Sequence, residues 1–307
     1  MYKRILIPLD GSQLAEQSIP YARSIARAFN ARIDLLQVIE PFNAQVALSV
    51  PKFGAIYDKL IQDMRSGAET YLNNLAFGLK NAGFTVTYKV EEGNAAESII
   101  NYVSTGPDSL IAMSAHGRSG IAKWLLGSVT TKILHKAGCS VLVMHSKNGA
   151  SIANDKDFRT AILPLNGSAF NEQSIDEAVS LAKKMELKVV VAQVIPSVTH
   201  YEGTPELSKL DTAALVKEAT VKAEDYLAKI RKKLQQQGLT NISVRTIEGY
   251  PAPSIIELTN EYPASVVILT THGKFSSGGW MLGSTTDKVL RQCSSPVLVV
   301  RRAESKK

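Results

Sequence analysis

The eight residues ILIPLDGS (5–12) recur as AILPLNGS (161–168), with an offset of 156 residues from Gly11 to Gly167. The same offset relates five further pairs of segments: Gln37–Ile39 with Gln193–Ile195, Gly93 with Gly249, His116-Gly117 with His272-Gly273, Trp124 with Trp280, and Leu126–Ser128 with Leu282–Ser284. A repeat of this length exceeds the unit of a solenoid, so each copy is a whole domain. The chain is therefore predicted to contain two tandem copies of one domain.

A polar stretch from Ser146 to Phe158 separates the two copies and has the composition of a linker. We predict a first domain over residues 1–147, a linker over residues 148–158 and a second domain over residues 159–307. The length of 307 residues, about twice that of an ordinary single domain, agrees with this division.

Short apolar runs alternate with helical patterns within each copy. In the first copy the strands are predicted over Arg4–Leu9, Arg32–Ile39, Thr85–Glu91, Ser109–Ser114 and Ser140–His145, and the helices over Gln13–Phe29, Lys59–Ala82, Ala95–Ser104 and Ala122–Ala137. This order predicts an α/β fold: a doubly wound, Rossmann-like parallel sheet of five strands with helices on both faces. The second copy repeats the pattern over Thr160–Arg301, and its long helix has an apolar face predicted to pack on the core: Leu215, Ala219, Ala223, Leu227, Ile230 and Leu234.

The composition is that of a globular protein, with 45% hydrophobic and 21% charged residues. No stretch approaches the ~20 apolar residues of a membrane span, and the N-terminus lacks the apolar core of an export signal. Two cysteines are too few for a disulfide framework or a zinc site. These features predict a soluble cytoplasmic protein.

The net charge of +7 is assigned to solvated faces, because no aromatic residues interleave with the basic residues as nucleic-acid binding would need.

Two loops at the carboxyl ends of the predicted strands could bind a ligand, because ligands of such sheets bind where the strand order reverses. Asp10 follows the first strand, where it could shape a turn, cap the next helix or accept hydrogen bonds from a ligand. The second loop runs from Ser114 to Thr130, and Gly127-Ser128 opens a helix there. Glycines and a helix start favour phosphate binding, to which Arg118 or Lys123 could add charge, although the glycines could equally serve only to shape turns.

This pattern resembles the universal stress protein family. The nucleotide-binding members of that family carry Gly, two residues, Gly, nine residues, then Gly and Ser or Thr. Gly117, the nine residues 118–126 and Gly127-Ser128 match this motif, whereas Ser114 replaces the first glycine. The resemblance implies ATP or a related adenine nucleotide, with or without Mg²⁺, bound by Pro8, Leu9, Asp10, Val38, Met113, Ser114, His116, Gly117, Arg118, Gly127, Ser128, Val129 and Thr130.

The second copy departs further from the family pattern. Asn166 replaces the aspartate, and the β-branched Thr270 stands where the first glycine belongs. We therefore predict a weaker or empty second site, formed by Asn166, Val194, Thr270, His272, Gly273, Gly283, Ser284, Thr285 and Thr286. Simple divergence after duplication and a regulatory second site are both compatible with these changes.

The leading hypothesis is a stress-response sensor or regulator that binds an adenine nucleotide, chiefly in the first domain. No acid or cysteine stands at a fixed spacing beside His116 or His272, so a catalytic role for these histidines lacks support. An alternative is a dimeric interaction protein of the same family that binds no nucleotide. In either case we predict a homodimer that pairs through the edge strands Val141–Met144 and Val297–Val300, as the family resemblance implies. A third alternative is slow ATP hydrolysis.

Overall fold

A computed structural model describes residues 1–41, 53–104, 108–116, 126–145, 155–195, 197, 212–271 and 282–301. The chain divides into two compact units, the first over Met1–Lys156 and the second over Asp157–Arg301. Both units are built from parallel strands that alternate with helices.

The first unit contains a five-stranded parallel sheet in the order β3-β2-β1-β4-β5. Its strands are β1 (Arg4–Leu9), β2 (Arg32–Ile39), β3 (Val86–Glu92), β4 (Ser109–Ser114) and β5 (Ser140–Met144). Its helices are α1 (Gln13–Glu16), α2 (Ile19–Phe29), α3 (Phe53–Asn81), α4 (Ala95–Ser104) and α5 (Ser128–Lys136). The predicted doubly wound α/β class is confirmed, because the strand order reverses between β1 and β4.

The second unit repeats this topology in the order β10-β9-β6-β7-β8, again with parallel neighbours. Its strands are β6 (Thr160–Pro164), β7 (Lys188–Ile195), β8 (Ile242–Glu248), β9 (Ser265–Thr270) and β10 (Val297–Val300). Its helices are α6 (Ala169–Glu172), α7 (Ile175–Met185), α8 (Thr212–Gln236), α9 (Pro251–Glu261) and α10 (Ser284–Gln292).

The helix predicted over Gln13–Phe29 is in fact two helices, α1 and α2, separated at Gln17 and Ser18. Pro20 in the first turn of α2 lacks the amide hydrogen that would continue a helix from α1, and Ser18 Oγ donates instead to the carbonyl oxygen of Ala15 at 2.7 Å. The prediction of a helix from Ala122 was also wrong at Leu126 and Gly127, because α5 begins only at Ser128. Residues 122–125 lie outside the described residues.

In each unit the core lies on the sheet, and the central strands of that sheet are buried on both faces. In α8 the predicted apolar face packs on the core at Ala223, Leu227, Ile230 and Leu234. Leu215 was wrongly included in that face, because its side chain is 46% exposed. None of the described helices has the length and the apolar character needed to cross a bilayer.

The C-terminal end of the first unit is tied to α2. The Asp155 carboxylate forms ion pairs with Arg23 and Arg27, and the hydroxyl of Ser24 donates to the carbonyl oxygen of Lys156 at 2.9 Å. These contacts lie within the first unit, so the last residues before Asp157 belong to it structurally.

Both units use left-handed residues at equivalent places, and one of these is a strained alanine. Asp108 in the first unit has φ 61°, and its counterpart Ala264 has φ 59°. The left-handed conformation costs a non-glycine residue about 1–2 kcal/mol. We expect Ala264→Gly to raise the free energy of unfolding by about 0.5–1 kcal/mol, since the added freedom of glycine in the unfolded chain offsets part of the relief.

Urea denaturation measures this change, and Ala219→Gly within α8 is the matched control. That helical substitution is expected to lower the free energy of unfolding by up to about 1 kcal/mol. A loss of stability in Ala264→Gly as large as that in the control would contradict the assigned strain.

Candidate functional site

The strand order of the first unit reverses between β1 and β4, and the carboxyl ends of two such strands flank the crevice in which doubly wound sheets bind their ligands. Asp10 follows β1, the segment Ser114–His116 ends and follows β4, and the start of α5 contacts that segment. The contact is a hydrogen bond from the amide of Gly127 to the carbonyl oxygen of Ala115, at 2.8 Å. We call these three segments, Asp10, Ser114–His116 and Gly127–Thr130, the first crevice.

Asp10 shapes the turn that leads from β1 into α1. Its Oδ1 accepts hydrogen bonds from the amide and the hydroxyl of Ser12, at 2.9 and 2.6 Å. Ser12 Oγ in turn accepts from the amide of Ala15 and so caps α1. The capping role therefore falls to Ser12, while Asp10 orients the cap and brings a carboxylate to the crevice.

A glycine is required at position 127 because the backbone there passes close to the segment that follows β4, and not because its backbone conformation is unusual. Its φ of −58° is open to any residue, but a Cβ built there would lie 3.2 Å from the carbonyl oxygen of Ala115. As a glycine it also offers no side chain to cap α5. The first-turn amides of Ser128, Val129 and Thr130 therefore lack the capping group that Ser12 supplies to α1, an arrangement that favours an anion.

The side chains around this helix start have different roles. Ser128 is exposed and Val129 is half-buried, whereas Thr130 is buried and its hydroxyl donates to the carbonyl oxygen of Ser114 at 3.2 Å. Thr130 could therefore contact a phosphate through its backbone amide. Ser114 is buried at the end of β4, and it is not among the described non-glycine residues with positive φ. Serine therefore replaces the motif glycine here without left-handed strain.

His116 has a buried ring nitrogen, Nε2, with no hydrogen-bond partner among the described residues. Its ring centroid lies 5.9 Å from that of His145. Burial lowers the pKa of His116, and the nearby His145 lowers this pKa further, so both favour the neutral ring. His145 was not predicted from the sequence. Its position could have indicated it, because His145 directly follows β5 and Met144 of that strand pairs with Ser114 of β4.

The other predicted contacts lie on the strands. Val38 is half-buried near the carboxyl end of β2, one residue beyond the pair that Gln37 forms with Leu9. Pro8 is half-buried, and Leu9 and Met113 are buried. Gly117 and Arg118 lie outside the described residues. Within the described residues there is no cluster of three or more histidine, cysteine, aspartate or glutamate side chains that could hold a metal ion.

The second unit repeats much of this geometry between β6 and β9, and we call Asn166, Thr270, Thr271 and Gly283–Thr286 the second crevice. Asn166 Oδ1 accepts from the amide and the hydroxyl of Ser168 at 3.0 and 2.7 Å, and the amide of Gly283 donates to the carbonyl oxygen of Thr271 at 2.7 Å. The hydroxyl of Thr286 donates to the carbonyl oxygen of Thr270 at 2.9 Å.

The remaining predicted site residues of the second unit differ in their exposure. Gly283 opens α10 without a capping side chain, so the helix start resembles that of α5. Ser284 is exposed, Val194 and Thr285 are half-buried, and His272 and Gly273 lie outside the described residues.

Comparison with known proteins identifies the family of both units. The model of the universal stress protein family matches residues 1–145 and again residues 157–301. A universal stress protein of Mycobacterium tuberculosis is 25% identical over 194 residues, a match that covers 63% of this chain and 62% of the relative. One from Mycolicibacterium smegmatis is 23% identical over 301 residues, which are 97% of this chain and 96% of the relative.

A solved structure shows the same fold over the whole chain. The crystal structure of a universal stress protein from Archaeoglobus fulgidus superposes with a TM-score of 0.69 at 22% identity, covering 98% of this chain and 99% of that one. The two family matches, one to each unit, account for the repeat found in the sequence. The chain belongs to the universal stress protein family, with two copies of the family's domain in tandem.

Proposed function

We propose that the first crevice binds ATP or a related adenine nucleotide and that the protein acts in the stress response as a sensor or regulator. The observation that carries the proposal is the start of α5, where Gly127 offers no capping side chain and its amide donates a hydrogen bond to Ala115 at the end of β4. Backbone amides and the helix dipole at such a start attract phosphate groups. The position at the reversal of strand order is where doubly wound sheets bind their ligands.

The neighbouring groups suit the rest of a nucleotide. The Asp10 carboxylate can accept hydrogen bonds from ribose hydroxyls, and Val38 offers an apolar contact to a base. His116 Nε2, without a partner among the described residues, can serve a ligand as well. Mg²⁺ would be held chiefly by the phosphates, as is common where few carboxylates are available.

The proposal assigns a binding role and no catalytic residue. If the protein hydrolyses ATP slowly, it releases phosphate at a rate above that of the buffer alone. Substitution of Gly127 should abolish this release. A cytoplasmic location and a homodimer that pairs through Val141–Met144 and Val297–Val300 remain predictions. Light scattering on the purified protein distinguishes monomer from dimer.

Competition binding tests the nucleotide class. We expect a fluorescent adenine nucleotide to bind the full-length protein and to be displaced by ATP, but only weakly by GTP, because the apolar side chain of Val38 would leave the additional polar edge group of guanine without a hydrogen-bond partner. Displacement by ATP and GTP with equal affinity would contradict the adenine assignment. Absence of any binding at millimolar nucleotide would favour the alternative of an interaction protein without a nucleotide.

A further inference from the structure

A side-chain hydrogen bond spans the crevice of the second unit. The amide Nδ2 of Asn171, on α6 after β6, donates to Oγ1 of Thr270, the last residue of β9, at 2.6 Å. Strands β6 and β9 are neighbours and their connections run to opposite sides of the sheet, so their carboxyl ends flank the crevice. The Asn171–Thr270 bond therefore joins its two walls.

The first unit lacks the equivalent bond. At the offset of 156 residues, the counterparts of Asn171 and Thr270 are Ala15 and Ser114. The methyl group of Ala15 cannot donate a hydrogen bond. Ser114 has the same hydroxyl as Thr270 but not its methyl group.

Much of the frame around the two crevices is the same. Ser12 and Ser168 cap the first short helix of each unit, and each accepts its hydrogen bond from an amide at 3.2 Å. The amides of Gly127 and Gly283 each donate to the loop after the fourth strand. The walls of the crevices thus differ in the paired side chains, in the exchange of Asp10 for Asn166, and at Ala115 and Val129, whose counterparts are Thr271 and Thr285.

We propose that the Asn171–Thr270 bond closes the second crevice to nucleotide, so that the chain binds one adenine nucleotide and not two. This inference rests on the proposed function of the first crevice. A ligand that separates the two walls has to break this hydrogen bond, whose acceptor Thr270 is buried, and binding at the first crevice carries no such cost. Asn171 thus determines whether a nucleotide can occupy the second crevice.

The test transfers the side chains of the first crevice to the second. The starting protein carries Gly127→Val, to remove binding at the first crevice, and Asn166→Asp, to restore the carboxylate in the second. Adding Asn171→Ala and Thr270→Ser reproduces the pair Ala15 and Ser114. We expect titration with ATP and Mg²⁺ to show binding at least about ten-fold tighter after the second pair of changes than before it.

The reverse transfer guards against a variant that fails to fold. Ala15→Asn with Ser114→Thr in the otherwise native chain should weaken ATP binding by at least about ten-fold, with circular dichroism and thermal unfolding as checks of folding. If the native chain binds one nucleotide and neither transfer changes binding, the inference is overturned while the proposed function stands. Two nucleotides bound to the native chain also overturn it. If the native chain binds none, the proposed function fails and the inference falls with it.

Discussion

Replacing Asp34 by valine is expected to lower the free energy of unfolding of the first unit by about 3–5 kcal/mol, the usual cost of removing one partner from a buried charged pair. The Asp34 carboxylate is fully buried on β2. It accepts hydrogen bonds from the exposed guanidinium of Arg32 at 3.3 Å and from the hydroxyls of Thr87 and Tyr102 at 2.7 and 3.3 Å. It also lies 3.9 Å from Nε of the buried Arg4. A valine would leave the buried guanidinium of Arg4 without its carboxylate.

Arg4 is held from several sides, so it cannot easily move to water. Its Nε donates to Ser109 Oγ at 3.0 Å, its Nη2 donates to the carbonyl oxygen of Val103 at 3.0 Å, and the guanidinium lies over the ring of Tyr102. These contacts lie where β1 and β4 begin, at the edge of the sheet opposite the first crevice. The expected loss is therefore one of stability, with nucleotide binding retained under conditions in which the unit is folded.

The second unit supplies the matched control for this prediction. The residues at the places of Arg4, Asp34 and Tyr102 are Thr160, Val190 and Leu258, so the same fold exists without the charges. The combined variant Arg4→Thr, Asp34→Val, Tyr102→Leu should recover most of the stability lost by Asp34→Val alone. Urea denaturation measures both. A loss below about 1 kcal/mol for Asp34→Val would show that the buried pair is of little importance.

Replacing Gly127 by valine is expected to weaken ATP binding by at least about ten-fold, or about 1.4 kcal/mol. A Cβ at this position would already lie 3.2 Å from the carbonyl oxygen of Ala115 and 3.9 Å from the Cα of His116. The branched carbon of valine adds atoms on the side from which phosphate oxygens would approach the amides of α5. Either the helix start moves away from β4 or the anion loses its contacts.

Gly283→Val is the matched control, because Gly283 opens α10 with nearly the same backbone angles, φ −59° and ψ 144°. The two substitutions should have similar costs in stability, but only Gly127→Val should reduce binding if the first crevice is the site. Fluorescence titration of both variants measures the difference. Equal losses in the two variants would contradict the assignment to the first unit.

The fold was predictable because its signals are local or repeated. The apolar runs at Arg4–Leu9 and Arg32–Ile39 give the strands their full bounds, and the constant offset between the copies predicts the second unit. Once the strands are parallel, topology brings Asp10, Ser114 and Gly127 to one edge. This part of the candidate site follows from connectivity, without knowledge of any side-chain contact.

The remaining features depend on contacts between residues far apart in the chain. The Asn171–Thr270 bond joins residues 99 positions apart, and the bond of Tyr102 to Asp34 spans 68 positions. Neither has a periodic signal, since each arises only when two strands or helices have packed. The break between α1 and α2 was missed for a different reason: apolar spacing continues through it, while Pro20 and the Ser18 hydroxyl interrupt the backbone pattern.

The most direct test of the binding proposal is isothermal titration of the native chain with ATP in the presence of Mg²⁺, followed by the same titration of Gly127→Val. We predict one nucleotide bound per chain and a loss of at least about ten-fold in affinity in the variant. Absence of heat at millimolar nucleotide, or an affinity unchanged in the variant, would contradict the claim that the start of α5 binds the phosphates.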